Sequence, residues 1–226
     1  QLYFDQGLVL AFGFNHAESI RSFKAAQKLD PECAMCFWGE ALATGPNINV
    51  TSNGKAVMSA NDRLSAFAAL QKALALKSNA SLAEQDYIDA LATRYNGDVD
   101  SDRTVLDMAY ANAMRDLANK YPEDDDAAAF FAEALMNTMP WDYWLDAEQP
   151  RPATVEVINT LESVMKRQPE HPLALHLYIH AVEASNRPGR AEVAADTLAN
   201  LVPGSGHLVH MPAHIYWRVG RNNDAV

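Results

Sequence analysis

Five of the chain's seven histidines fall after residue 175, and four of them obey a spacing rule. His176 and His180 are four residues apart, as are His210 and His214; the steps 176 to 210 and 180 to 214 are both 34. Residues at i and i+4 share one helix face. A unit recurring every 34 residues sets the same pair on the same face of two neighbouring helices, so four imidazoles converge. Packed helices lie ~8–10 Å apart. Rings reaching inward from both can approach the ~3.3 Å nitrogen separation that metal–nitrogen bonds of ~2.0–2.1 Å require. The expected partners are His176 with His210 and His180 with His214. With Glu183 beside them, these donors suit zinc, copper, nickel or iron rather than calcium or magnesium. An open coordination position would admit hydrolytic or redox chemistry. The competing reading is a set of histidines satisfied by carboxylates and backbone carbonyls. Pro212 either kinks an established helix or marks its first turn, and in the second case His207 and His210 come from a loop.

Other residues carry weaker signals. Cys33 and Cys36 form a C-x-x-C at a helix start, where the dipole favours thiolate, disulfide or metal chemistry. His16 is a candidate third ligand there. No βαβ context supports a thioredoxin-like site, and no His follows Cys36 as haem attachment needs. The simpler expectation is two small residues buried where helices approach closely. Glu40 and Glu133 sit in apolar "EAL" stretches and are expected to cap loop amides rather than bind a cation. Trp38, Trp141 and Trp144 form a candidate aromatic wall. Residues 140–153, with Pro140, Pro150 and Pro152, make an irregular excursion: either a lid or a loop pinned by tryptophan burial. His207, Glu183, Trp141 and Trp144 are the candidate ligand contacts around the four metal candidates. No phosphate cradle, nucleophile elbow or H-E-x-x-H is present.

The elements that must position these residues read as helices throughout, with no strand-like alternation. Expected segments are 2–12, 17–29, 33–44, 57–77, 82–95, 103–120, one from 125 through 136, 154–168, 171–184, 189–201 and 206–220. Turns fall at 13–15, at Asp30-Pro31, at Gly45-Pro46-Asn47 and at Tyr121-Pro122. In the late helices Leu175, Tyr178, Ile179 and Val182 form one packing stripe, and Val209, Ala213 and Tyr216 the next. The histidines lie on the stripe beside each. Residues 1–122 are expected to serve mainly as structure. Asn222–Val226 reads as the opening of a further helix, which makes the last unit look truncated. LYFDQG at 2–7 resembles a protease-tag remnant, but Asp5 and the helical pattern through it favour native chain.

Composition narrows the partners. Across 226 residues, 49% are hydrophobic, enough for one large helical domain. No stretch reaches the ~18 apolar residues of a membrane span, so no membrane insertion is expected. The net charge of −11 argues against nucleic acid, which needs a basic stripe. A soluble chain is expected, exported to the periplasm or cytoplasmic, with nothing choosing between the compartments.

A period of 34, also kept by Pro169 and Pro203, is that of the tetratricopeptide repeat. Tyr3, Gly7, Phe23, Ala26 and Pro31 match the bulky and small positions by which such repeats interlock, and "AAQKLDP" (25–31) resembles their ending. "DPECAMCFWGEAL" (30–42), "HLYIHAVE" (176–183) and "GHLVHMPAHIY" (206–216) resemble segments of a bacterial branch of that superfamily. The resemblance implies one all-α domain over 1–226, a right-handed superhelical solenoid of helix pairs whose concave groove holds ligands. It implies no reaction. The expected function is a groove-binding protein with a C-terminal histidine site for a transition metal or small ligand. Its rivals are a peptide or protein scaffold without metal and a metalloenzyme.

Overall fold

Helix starts follow from side-chain caps. Ser59 accepts from the Asp62 N–H, Asp102 from Thr104 and Asp124 from Ala127, while Ser81 and Glu84 complete a capping box. Pro152 and Pro172 open helices where a missing N–H costs nothing. A computed structural model describes residues 1–225. In it the chain forms α1 (Leu2–Phe12), α2 (His16–Leu29), α3 (Ala34–Thr44), α4 (Ala60–Ala75), α5 (Leu82–Ala92), α6 (Arg103–Lys120) and α7 (Asp125–Asn137). These are followed by α8 (Pro152–Arg167), α9 (Pro172–Val182), α10 (Glu192–Leu201) and α11 (Gly206–Arg218). None of the described helices is long and apolar enough to cross a membrane.

Consecutive helices pack on one another along the chain. The even-numbered ones bury a single stripe, as α8 does with Val157, Ile158, Leu161 and Val164. In contrast, α9 is buried at every residue from Leu173 to Val182, and α7 on more than one face, from Ala129 through Ala132 and from Ala134 through Asn137. The reason is a second set of contacts: α1 touches α3 and α9, and α7 touches α9. Phe12 and Phe130 rings meet at 5.6 Å, Trp38 and Phe130 at 5.9 Å. Aromatic side chains of the odd helices therefore fill the interior that an open groove would leave to solvent. Trp38 belongs to this core, with its indole N–H on the Tyr87 carbonyl at 3.2 Å, and not to any rim.

Closure needs a close approach at Gly13. A Cβ there would lie 2.4 Å from Ser205 Oγ and 3.2 Å from Leu208, so only glycine lets the end of α1 reach the start of α11. The expectation that residues 1–122 serve mainly as structure is corrected accordingly, because the end of α1 borders the histidines.

Two short hairpins depart from the all-helical expectation. β1 (Thr51–Ser52) pairs with β2 (Lys55–Ala56), and β3 (Trp144–Asp146) with β4 (Gln149–Pro150). The first turns on Asn53 and Gly54, both at positive φ, the Asn-Gly signature of a two-residue turn. Strands of two or three residues are too short to show alternation. Residues 222–225 form a turn, and Val226, the end of the further helix expected there, lies outside the described residues.

Cys33 and Cys36 are joined in a disulfide, their Cα atoms 5.4 Å apart across the first turn of α3. This replaces the expectation of two separate small buried residues. His16 stands at the opposite end of α2, about 20 Å of helix away, and is no partner of theirs.

Phe23 is fully buried between two glycines. A Cβ at Gly7 would meet its ring at 3.0 Å, and one at Gly39 at 2.3 Å. Gly7→Leu and Gly39→Ala are each expected to cost roughly 1–3 kcal/mol by overpacking. Gly204→Ala, which meets nothing within 4 Å, should fall within about 0.5 kcal/mol of wild type. Urea denaturation of the three variants checks this, and an unchanged midpoint for Gly39→Ala would contradict the packing described.

Candidate metal centre

Two helices carry the histidines. His171 caps α9 by accepting the Ala174 N–H at 3.3 Å, and Pro172 follows in the first turn. That start sets the phase in which His176 and His180 share a face. α11 runs from Gly206 through Pro212, so His207, His210 and His214 are all helical and none comes from a loop. Its buried stripe is Leu208, Met211, Pro212, Ile215 and Tyr216, whereas Val209 is 46% exposed. This corrects the expected stripe of Val209, Ala213 and Tyr216. Leucine, methionine and isoleucine bury more apolar surface than valine and alanine, and the helix turns to favour them.

That rotation decides which rings meet. His176 and His207 place their Nε2 atoms 3.0 Å apart, and so do His210 and His214. His180 lies 5.0 Å from His176 and 5.7 Å from His214, centroid to centroid. The expected contact of His176 with His210 is taken by His207, three residues earlier (210 − 207), about one helical turn. One ring nitrogen from each of His176, His180 and His207 lies within 4.8 Å of the others. This largely buried trio could hold a metal ion.

The protons are placed by the acceptors behind the rings. The Phe12 carbonyl can only accept, so His176 carries its proton on Nδ1, 2.8 Å away, and turns the Nε2 lone pair inward. Glu183 does the same for two rings: Oε1 accepts from His180 Nδ1 at 3.2 Å, Oε2 from His214 Nδ1 at 2.6 Å. Burial alone would raise the Glu183 pKa. Hydrogen bonds from His180 and His214 outweigh it and hold the carboxyl at about 2. Glu183 thus stands behind the imidazoles as their common anchor, with both oxygens already in use. The Nε2 atoms of His207 and His210 then donate to the lone pairs on His176 and His214. Each close pair holds one proton that a cation would displace.

The surroundings keep His176, His180 and His207 neutral. Burial, then repulsion from His180 and His207, holds His176 far below the usual histidine range. Burial also lowers His180, its bond to Glu183 offsetting only part of the effect. Burial, then His180, His210 and His214, brings His207 to about 4. Two aromatic residues wedge the cluster from left-handed backbone, Phe14 at φ 53° and Trp141 at φ 64°, a conformation that costs roughly 1–2 kcal/mol for a side chain of that size. Phe14 meets His176 edge-on at 4.5 Å and stacks over His207 at 5.8 Å; Trp141 meets His180 edge-on at 5.0 Å. His16 stacks on Phe14 at 5.3 Å, and burial, then Arg94, lowers its pKa to about 4.

The excursion at 140–153 is pinned rather than loose. Trp141 donates to the Ile48 carbonyl at 2.6 Å, Trp144 to Ala181 at 2.8 Å, and Asn186 N–H to Ala147 at 2.8 Å. Beneath it an open cavity of about 960 Å³ is lined by His180, Glu183, His210 and His214 on one side and Trp141, Tyr143 and Trp144 on another. Neither glutamate of the "EAL" stretches caps a loop. Glu40 pairs with Lys24 at 3.2 Å and Gln27 at 2.7 Å; Glu133 is enclosed, and burial pushes its pKa to about 7. Sequence reasoning missed Phe14, His16 and Tyr143. One usable signal was Phe14 itself, an aromatic in the tight turn Gly13–Asn15, which must find packing elsewhere. No protein-family model matches the chain, and no curated protein matches it.

A histidine whose pKa is lower in the fold than the unfolded ~6.5 stays neutral while the unfolded chain takes up a proton. Its contribution is complete above about pH 6.5 and is lost as pH falls from there towards about 4. Glu183, lowered to about 2, adds the same trend only below about pH 4.5. With chelator present, the melting temperature is expected to fall between pH 7 and pH 5, and less steeply in His16→Gln. A flat profile over that window would remove the buried neutral histidines from the account.

Proposed function

We propose that this chain is a tetratricopeptide-like helical repeat protein that binds a first-row transition metal through His176, His180 and His207. His214 and His210 stand beside the ion, and Glu183 and the Phe12 carbonyl orient the rings. The observation that carries the reading is the trio's geometry: one ring nitrogen from each of His176, His180 and His207 lies within 4.8 Å of the others, and Nδ1–H donation turns the Nε2 lone pairs of His176 and His180 inward. Orientation of ligand histidines by a carboxylate or a backbone carbonyl is what metal sites use to fix the ring and raise its basicity. An all-nitrogen set suits zinc, copper, nickel or iron. The 34-residue period and the serial helix packing support the repeat reading, with the superhelix wound tightly enough for its odd helices to touch. Ligand access is then from the 960 Å³ cavity beside α9 and α11 rather than from a continuous groove.

A second reading, a metalloenzyme, is favoured by that same cavity. Three protein nitrogens leave a position open on a tetrahedral ion, and His180 of the trio lines that cavity. A peptide scaffold finds less support, because Phe12, Trp38 and Phe130 occupy the interior where an extended segment would lie.

Elemental analysis of protein prepared without a histidine tag, after equilibration with zinc, is expected to give bound metal. His176→Ala, His180→Ala and His207→Ala should each abolish it, whereas His210→Ala should retain it. Glu183→Gln keeps every ligand but loses the charged acceptor, and should weaken affinity about 10–100-fold. The Cys33→Ala/Cys36→Ala double variant should bind as wild type. Equal loss of metal in His210→Ala and His207→Ala would show that the trio is wrongly assigned, and no bound metal in wild type would remove the reading.

A further inference from the structure

The cavity beside the histidines has chemistry of its own. Its walls include Trp141, Trp144 and Trp217, with Tyr143, His180 and Arg218 among them. Trp141 and Trp144 have spent their indole N–H groups on backbone carbonyls, so their rings can offer a ligand only apolar surface. Trp141 is 49% exposed and Trp217 69%. Indole surface left in water beside a concave site marks a place where apolar matter docks. A volume of about 960 Å³ is that of a small-molecule pocket, ~300–1,000 Å³.

Polar groups are few and convergent. The Tyr143 hydroxyl is buried and completes no hydrogen bond among the described residues, although the Trp141 backbone is turned towards it. The buried Nε2 of His180 is likewise without a partner. A buried hydroxyl left unbonded costs free energy that a ligand acceptor would restore. Arg218 is the cationic side chain of the lining, one helical turn beyond His214. In a chain of net charge −11, an anion gains entry only where such local positive charge offsets the general field. Glu183, the acidic member of the lining, has both oxygens engaged by His180 and His214 behind the rings.

Building on the metal reading, we propose that this cavity binds a small aromatic carboxylic acid. Its ring lies against the three tryptophans, and its carboxylate reaches the ion at His180. Tyr143 donates to the carboxylate, and Arg218 supplies the positive charge that draws it in. An aromatic amine would meet Arg218 and the cation with the wrong sign, and a short aliphatic acid would leave the indole faces wet.

The test uses the full chain loaded with zinc, with bound zinc counted on the same sample, and follows tryptophan fluorescence and heat on titration with benzoate, acetate and benzylamine. Benzoate is expected to bind, acetate at least about tenfold more weakly, and benzylamine not at all. Tyr143→Phe and Arg218→Gln should each weaken benzoate about tenfold, as loss of one charge-assisted hydrogen bond or ion contact implies. Arg218→Gln should keep the wild-type melting temperature and Tyr143→Phe should not lower it, since neither group bonds within the fold. Zinc bound without any benzoate response overturns the ligand and leaves the metal site standing. Failure of zinc to bind removes the metal site; benzoate titrated into that zinc-free protein then decides the cavity. Binding sensitive to Tyr143 and Arg218 upholds the acid, and none overturns it. Benzylamine binding as tightly as benzoate also overturns it.

Discussion

One hydrogen bond ties the ends of this chain together: the Phe12 carbonyl accepts from His176 Nδ1 at 2.8 Å, across 164 residues of sequence. Phe12 is the last residue of α1, and the final carbonyls of a helix have no partner inside it. Left buried and unbonded, such a group would cost roughly 1–3 kcal/mol. The donor that satisfies it comes from the most enclosed helix of the molecule. Because the bond uses Nδ1, it also dictates which nitrogen of His176 remains free. A requirement of backbone satisfaction and the preparation of a ligand are met by the same proton. The next residue, Gly13, allows α1 to approach α11, since a side chain there would collide with Ser205.

Glu183 repeats that logic with charge. It follows directly on the end of α9 and takes one histidine from its own helix and one from α11. Burial opposes its ionisation, and the two ring donors overcome that opposition. A neutral glutamic acid could accept at only one oxygen without turning a proton on the other ring. The ionised form therefore fixes both tautomers at once and pins α11 to α9 at the depth of the cluster. His176, His180 and His214 thus turn their Nδ1 protons outward to fixed acceptors and their Nε2 lone pairs inward. His207 and His210 supply the protons that bridge to the lone pairs of His176 and His214, and a cation would take the place of such a proton.

How far the residues alone led is plain from particular positions. The boundaries of α1 and α6 follow from Gly13 and from the Asp102 cap and Tyr121-Pro122 stop, because local rules decide them. The i, i+4 histidine pairs were legible for the same reason, as helical phase is a local property. The exchange of His210 for His207 beside His176 was not legible. It depends on the rotation and axial offset of α11 against α9, set by whether Leu208 and Met211 or Val209 and Ala213 take the buried stripe. Phe14 and His16 were out of reach in a different way. They lie more than 150 positions from the histidines they border, and only the closing of the helical array brings them there. The disulfide stood among the open alternatives for C-x-x-C, and a helix start alone does not choose between reduced and joined thiols.

Backbone strain is distributed unevenly, and its distribution carries information. Of the three non-glycine residues at positive φ among the described residues, Asn53 serves a hairpin turn, as asparagine readily does. The other two, Phe14 and Trp141, are large aromatics for which that backbone is unfavourable, and both touch the imidazoles. The unbonded Tyr143 hydroxyl and His180 Nε2 lie within the same region. Packing of α9, α10 and α11 supplies the stability that tolerates these defects, since α9 is buried along its whole length. Selection for stability alone would have removed them by small changes, such as glycine at position 14 or phenylalanine at 143. Two strained aromatics against one cluster of imidazoles are what a site arranged for a ligand looks like before the ligand is bound.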